Sequence, residues 1–215
     1  LIYRTMLAKL QLLLPFELTV PVETEFQIYG YDEDGYRVDF HVPSRTGKPN
    51  VPNNPDHVEI NGKPALQADT INVIFKKEIF DRRASEPIDP SETFIKKALD
   101  SFLTRLKYTS RAPQVNPIEF PNCDWRIRYL NDDGTELPQV EGMFRGRRAE
   151  GISFESIGCT PNLWDSIFLL PEQFEIPHWH RLLIDSRGAL PHIGTSLVLA
   201  ATAVEIFIAN VLDQL

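Results

Sequence analysis

The sequence predicts an α+β fold in which a mostly antiparallel sheet packs against one helix and is followed by a helical carboxy-terminal segment. Two stretches of alternating apolar and polar residues each surround an acidic glycine turn, at Asp32–Gly35 and at Asn131–Gly134. This pattern is typical of β-hairpins with one buried face. A single amphipathic stripe lies between them, from Ser91 to Tyr108. Strands around one helix, followed by further helices, indicate the α+β class.

The sequence patterns that predict the amino-terminal strands differ in strength. Residues 2–14 are apolar with polar interruptions and are compatible with a strand or with a short helix. Alternation over Glu25–Val42 predicts the first hairpin. Residues 43–67 are rich in proline and asparagine, so we expect a long loop with at most a small hairpin at Ile60–Lys63. Alternating apolar residues predict another strand around Ile71–Phe75, and residues 81–88 are expected to form a polar linker.

The central helix has the clearest start signal in the chain. Asp89 suits the N-cap, Pro90 the first helical position and Glu92 the positively charged end of the helix. Helical spacing predicts that this helix ends near Lys107 or Tyr108 and packs on the sheet through one apolar stripe: Ile95, Ala98, Leu99, Phe102, Leu103 and Leu106.

The carboxy-terminal part changes from strands to helices. Residues 152–157 suggest a late strand, and the apolar run Leu163–Leu170 fits either a helix or a strand. Trp179–Ile184 predicts a short amphipathic helix, and Asp185–Gly194 reads as a joint broken by glycine and proline. A long helix is then predicted from Thr195, with Thr195 or Ser196 as its cap. We therefore divide the chain into a strand-rich domain, 1–176, and a helical segment, 177–215.

The terminal helix is apolar on two faces. The second of these faces carries Leu199, Ala203, Ile206 and Phe207. A helix that is apolar nearly all round must be buried on most sides. We therefore predict that it contacts a second copy of the chain, or a helical region outside this sequence. The first face and its edge form the predicted interface: Leu197, Ala201, Val204, Glu205, Ile208, Val211 and Leu212.

The same helix has the length of a membrane span. An acidic residue at its middle, Glu205, costs about 2.5–3.5 kcal/mol on insertion scales. We therefore predict a buried helix of a soluble protein and no membrane. With two cysteines, Cys123 and Cys159, the chain lacks a disulfide framework, and a cytoplasmic protein is the simplest expectation. Because residue 1 is Leu rather than Met, we expect a processed or partial chain.

One dense basic cluster is the main candidate for ligand binding. The net charge of −8 argues against general nucleic-acid affinity but allows a local basic patch. A cluster of guanidinium groups can bind phosphates through paired hydrogen bonds, although such clusters also occur as solvated hairpin tips. The candidate residues for phosphate or nucleic-acid binding are Arg145, Arg147 and Arg148, with Arg126 and Arg128 on a neighbouring strand.

Metal and catalytic sites have weaker signals. The acidic turns lack the spacing of a calcium-binding EF-hand loop. His178 and His180 would point about 200° apart on a helix, and no acid or cysteine cluster lies at ligand spacing. We therefore predict no metal and no cofactor. An arginine and a histidine held close together can position RNA and transfer protons during its cleavage. Arg187 and His192 are residues of these two types, but Gly188 and Pro191 lie between them, so they do not share a helix. No catalytic residue is assigned.

The terminal segment resembles the start of the helical domain in HEPN-type proteins, particularly the ApeA-like group. The similar stretches are Trp179–Leu183, the joint through Leu190-Pro191, and Ala200–Phe207. The helix from Ser91 with the connection Val115–Ile118 is similar to the strand-rich domain that often precedes it in this group.

The resemblance implies a cytosolic prokaryotic protein that acts in phage defence, often as a dimer. Many members of the family are metal-independent endoribonucleases with an Arg-x4–6-His motif on a late helix. Arg187 and His192 precede the position of that motif, so the catalytic role is not carried onto them, and only Glu205 matches a family position. The resemblance therefore implies a recognition or sensor domain here, and an endoribonuclease in a longer protein. Two alternatives stay open: a non-enzymatic binding or scaffold module that docks a partner through its terminal helix, and an enzyme whose site lies in the sheet domain.

Overall fold

The computed structural model describes residues 3–22, 24–33, 36–44, 58–60, 62–80, 93–120, 123–131, 133–144, 156–171 and 173–214. These contain eight strands and four helices. The strands are β1 (Tyr3–Pro21), β2 (Tyr29–Glu33), β3 (Tyr36–Ser44), β4 (Val58–Ile60), β5 (Lys63–Phe80), β6 (Trp125–Leu130), β7 (Glu136–Phe144) and β8 (Ile157–Gly158). The helices are α1 (Thr93–Ser110), α2 (Pro161–Phe168), α3 (His178–Gly188) and α4 (Ile193–Leu212).

The described strands form one sheet in the order β2-β3-β5-β1-β6-β7, with β4 beside β5 and β8 beside β1. All pairings are antiparallel except the short one between β8 and β1. Both predicted hairpins are present, as β2–β3 and β6–β7, although residues 25–28 of the first prediction precede its strands. The small hairpin at Ile60–Lys63 joins β4 to β5, so residues 63–67 belong to a strand and not to the predicted loop. The α+β class is confirmed.

The first strand is longer than its sequence suggests. β1 continues through Pro15, which has no N–H group to donate to a neighbouring strand. The register between β1 and β5 shifts between Leu13 and Leu18, and such an irregularity lets a strand carry a proline without losing its pairing on either side. Residues 2–14 therefore contribute to a strand from Tyr3 onward, and the helical alternative is wrong.

One face of the sheet is covered by α1 and α2. The predicted apolar stripe of α1 is buried against the sheet, with Phe102 stacked on Phe40 of β3 at 5.0 Å between ring centroids. The run Leu163–Leu170 contains α2, which begins at Pro161 after the N-cap Thr160; the Thr160 hydroxyl accepts a hydrogen bond from the Leu163 N–H. Trp164 of α2 is fully buried in the same core.

Two boundaries in the helical segment differ from the sequence prediction. α3 extends through the predicted joint to Gly188, because Gly188 packs so tightly on Pro113 that an added Cβ would lie 2.8 Å from the proline ring. α4 begins at Ile193 rather than Thr195, and its N-cap is His192 without a side-chain hydrogen bond. Thr195 and Ser196 are therefore not caps.

Several sequence predictions lie wholly or partly outside the described residues: the first acidic turn at Asp32–Gly35, the loop at 43–67, the linker at 81–88, the start of α1 at Asp89–Glu92, the cluster of Arg145, Arg147 and Arg148, and the late strand before Ile157. The second acidic turn is described in part. There Gly134 has a positive φ of 81° and the Asp133 carboxylate accepts hydrogen bonds from the Thr135 N–H and hydroxyl. Those bonds lower the pKa of Asp133, as expected for a hairpin turn.

Candidate functional site

The helical segment joins the sheet domain through α3 and α1. Lys107 of α1 lies 3.2 Å from the carboxylate of Asp185 in α3. The Arg187 guanidinium donates a hydrogen bond to the backbone oxygen of Arg111, just past the end of α1, at 3.1 Å. These contacts and the Gly188–Pro113 approach all come from the last turn of α3, so they fix that turn against the end of α1.

α4 packs mainly on α3 through one of its two apolar faces. Trp179 and Phe207 meet edge to face, with ring centroids 4.9 Å apart. Ala203 is fully buried, and Leu199 and Ile206 on the same side are half-buried. The second apolar face predicted from the sequence is therefore the one that faces α3.

The first apolar face of α4 points away from α3 and is exposed. The exposed fractions there are 67% for Leu197, 50% for Val204, 50% for Ile208, 42% for Val211 and 62% for Leu212. We call these five residues the apolar row. Ala201 and Glu205 are also exposed beside it. All seven residues of the predicted interface thus lie on one side of a single helix, without a covering element among the described residues.

Among the described residues, α4 is the one helix that meets the length and apolarity of a membrane span. Only 6% of the most apolar 18-residue stretch of α4 is buried. A single such helix is weak evidence for a membrane protein, and a soluble protein remains consistent with it.

The two described arginines of the predicted binding cluster lie on the sheet face opposite α1, which we call the polar face. Their strand, β6, pairs with β1 so that Arg126 lies beside Gln11 and Arg128 beside Lys9. Arg145, Arg147 and Arg148 lie outside the described residues. Other basic and acidic residues that the strand alternation places on the polar face include Lys9, Arg37, Lys76, Asp32, Asp39, Glu136 and Glu17.

A ladder of hydrogen bonds crosses four strands on the polar face. The Arg126 Nε–H donates to Gln11, the Gln11 amide donates to Asn72 at 3.0 Å, and the Asn72 amide donates to Ser44 at 3.0 Å. One edge of the Arg126 guanidinium is therefore fixed. A guanidinium group has five N–H donors in a planar fork, so its remaining donors can contact a phosphate.

Arg128 is more strongly engaged than Arg126. Its guanidinium donates to the Glu136 carboxylate, which also lies 2.9 Å from the Lys9 ammonium. The Lys9 hydrogen bond, followed by that of Arg128, lowers the pKa of Glu136. The Glu136 carboxylate thus competes with any phosphate for Arg128. The sequence did not reveal this ion pair because Glu136 and Arg128 lie on opposite sides of the hairpin turn.

The ladder residues Gln11, Asn72 and Ser44 were missed in the sequence. Each has a side chain of common type on a strand, and only the registers of β1 with β5 and β6 bring them together. A usable signal was present in part, since Lys9, Gln11 and Asn72 are polar residues that interrupt otherwise apolar strands at every second position.

His41 lies on the polar face, at the register position of Asn72. Burial lowers its pKa below 6.5; the Asp39 carboxylate opposes this shift and the Lys9 ammonium adds to it. The folded state therefore favours the neutral ring, and this stabilisation is present above about pH 6.5 and is lost as the pH falls through the lower folded value. We expect an NMR titration midpoint for the His41 ring below 6.5. A midpoint at or above 6.5 would contradict this environment.

Two histidines of the helical segment lie at the start of α3. His178 and His180 lie in the first turn of α3, and the His180 ring is 4.6 Å from the Tyr108 ring and 5.1 Å from Trp179. No group of three or more histidine, cysteine or acidic residues at metal-binding distances occurs among the described residues. His180 therefore contributes to packing between α1 and α3.

Arg187 and His192 are also separated. Arg187 lies in the last turn of α3, and His192 precedes the first residue of α4. They do not share a helix, and the Arg187 guanidinium contacts the backbone oxygen of Arg111 at the end of α1.

Comparisons with family models, with curated proteins and with solved structures found no match for this chain.

Proposed function

We propose that this chain is the recognition part of a HEPN-like protein, that its polar face binds RNA and that its apolar row pairs with a second copy of the chain. The observation that carries the proposal is the exposure of the apolar row. Burying a large apolar side chain contributes about 1.5–3 kcal/mol, so five exposed on one helix face favour association.

A second copy is the partner that fits α4 best. Two α3–α4 hairpins packed through their apolar rows form a four-helix bundle, in which both apolar faces of α4 are covered. Ala200 and Ala201 are small enough to allow close approach of the helices. Glu205 is the only charged residue within α4, and at the edge of the row it stays in contact with water.

RNA recognition is supported by the polar face. Arg126 is held in position by Gln11 while part of its guanidinium stays available. Five basic residues lie on this face, although the chain carries a net charge of −8: Lys9, Arg37, Lys76, Arg126 and Arg128. Clustered positive side chains favour contact with phosphate groups.

The resemblance extends the proposal to the biological setting. On that resemblance we propose a cytoplasmic protein of a prokaryote that acts in defence against phage. In a longer form of the protein, an Arg-x4–6-His helix would supply metal-independent endoribonuclease activity. The described residues supply recognition and association only.

Removing positive charge from the polar face should weaken RNA binding. We expect Arg126→Ala with Arg128→Ala to lower affinity for short single-stranded RNA and to reduce the salt slope by about one per lost phosphate contact. The substitution of Arg145, Arg147 and Arg148 together by alanine should act in the same way if the cluster adjoins this face. Fluorescence anisotropy over a salt series measures both quantities.

Arg181→Ala is the matched control, because Arg181 is an exposed arginine of α3 away from the polar face. It should leave the salt slope unchanged. Unchanged binding in the double variant, or no binding by the unmodified chain at low salt, would reject RNA recognition. A dimer that fails to bind RNA would favour the second candidate function, a scaffold module that docks through α4.

A further inference from the structure

A cleft of about 720 Å³ lies where the end of α1 meets β8 and the end of α3. Residues 109–114 form one wall, Ser156–Gly158 with Thr160 and Leu163 form a second, and Arg187, Gly188 and Leu190 form the third. The volume falls within the range of small-molecule sites, about 300–1,000 Å³.

The charge of the cleft is opposite to that of the chain. Two arginines, Arg111 and Arg187, line it together with hydroxyl, amide and aliphatic side chains, and none of the described residues that line it is acidic. Neither arginine forms a salt bridge with a described residue, whereas Lys107 nearby is paired with Asp185. In a chain of net charge −8, this is a locally cationic surface that favours an anion.

The backbone holds Arg111 at the cleft in an unusual conformation. Its φ is 54°, in the left-handed region that glycine adopts readily and that disfavours residues with a side chain. A cation at a helix end is also explained by attraction to the last carbonyl groups. Attraction to the helix-end carbonyl groups accounts for Arg187, whose guanidinium bonds the Arg111 oxygen. The same attraction does not account for a side chain at position 111.

The second wall adds the positive end of a helix. α2 begins beside the cleft, with Thr160 as its N-cap and Leu163 in its first turn, both lining residues. Helix N-termini stabilise anions because their N–H groups and macrodipole are positive. Arg111 after α1, Arg187 in α3 and the start of α2 therefore all favour an anion in this cleft.

We propose that this cleft binds a small phosphate-bearing molecule of nucleotide size. Arg111 and Arg187 contact the phosphate groups, and the aliphatic side chains of Ala112, Pro113, Ile157 and Leu190 contact the organic part. The proposal depends on neither the polar face nor the apolar row. Because the walls belong to the sheet domain and to α3, a bound molecule links the two and stabilises their contact.

The test uses the unmodified chain with ADP and with inorganic pyrophosphate as probes, at about 150 mM salt so that weak surface attraction is screened. We expect saturable heat in a calorimetric titration and a rise in the thermal midpoint. Arg111→Gly should weaken binding by about tenfold or more, the loss expected for a charged hydrogen bond. Since glycine suits the backbone at this position, this variant should fold as well as the parent.

Arg187→Gln should also weaken binding, while Arg181→Gln, which removes an equal charge from α3 outside the cleft, should not. The proposal is wrong if neither probe binds the unmodified chain saturably, or if Arg111→Gly binds as tightly as the parent. Binding of a single-stranded RNA at the cleft, with no binding of ADP or pyrophosphate, would also overturn it, because the ligand would then belong to another class.

Discussion

Replacing Trp164 with alanine is expected to lower the free energy of unfolding by about 3–5 kcal/mol. The side chain is fully buried and contacts Phe102 and Phe168, with ring centroids 5.7 and 5.1 Å away. Its indole N–H also donates to the backbone oxygen of Gln27 at 2.8 Å. The substitution therefore opens a cavity and leaves a carbonyl group without its partner. Urea denaturation followed by far-ultraviolet circular dichroism measures the change.

Two further variants make this result specific to burial. Trp164→Phe retains an aromatic ring but loses the hydrogen bond, so its destabilisation should be smaller than that of the alanine variant. Leu169→Ala, immediately after α2, removes a side chain that is 79% exposed and should change stability by less than about 0.5 kcal/mol. Equal effects of Trp164→Ala and Leu169→Ala would show that α2 does not pack on the sheet as described.

Introducing two lysines into the apolar row is expected to abolish self-association. In the variant Ile208→Lys with Val211→Lys, the proposed interface would bury two unpaired charges, which costs more than the association can supply. In the isolated chain both positions are exposed, so the fold itself should be retained. Light scattering coupled to size exclusion should give the single-chain mass of 24.6 kDa, and circular dichroism should be unchanged.

The matched control is Thr195→Lys with Ala209→Lys, which adds the same charge at exposed positions of α4 beside the apolar row. It should associate like the parent. If both double variants dissociate equally, net charge rather than the apolar row governs association. If neither dissociates, another surface holds the copies together.

Periodicity in the sequence predicted the hairpins and the buried stripe of α1, because their patterns extend over many residues and one face of each is buried. The run Leu163–Leu170 remained ambiguous since eight residues, six of them apolar, fit a helix or a strand. A signal was available in Thr160 followed by Pro161, a cap and a first helical residue. The full length of β1 was hidden by Pro15, whose tolerance depends on a register shift that only the paired strands reveal.

The site was less predictable than the fold for a physical reason. The two faces of α4 follow from helical spacing within one element, so the apolar row could be predicted from sequence. The Arg126–Gln11–Asn72–Ser44 ladder depends on the registers of separate strands. The Arg111–Arg187 cleft depends on α3 lying along the end of α1. The helical extension to Gly188 has the same origin, since its contact with Pro113 overrides a low helix propensity.

The mass of the unmodified chain in solution tests the central claim most directly. Sedimentation equilibrium over a range of concentrations should show a particle of twice the chain mass of 24.6 kDa, in reversible equilibrium with the single chain and without lipid or detergent. A single-chain mass at every concentration would contradict pairing through the apolar row. Recovery of the protein only with lipid vesicles would contradict it as well, because α4 would then be buried in a membrane.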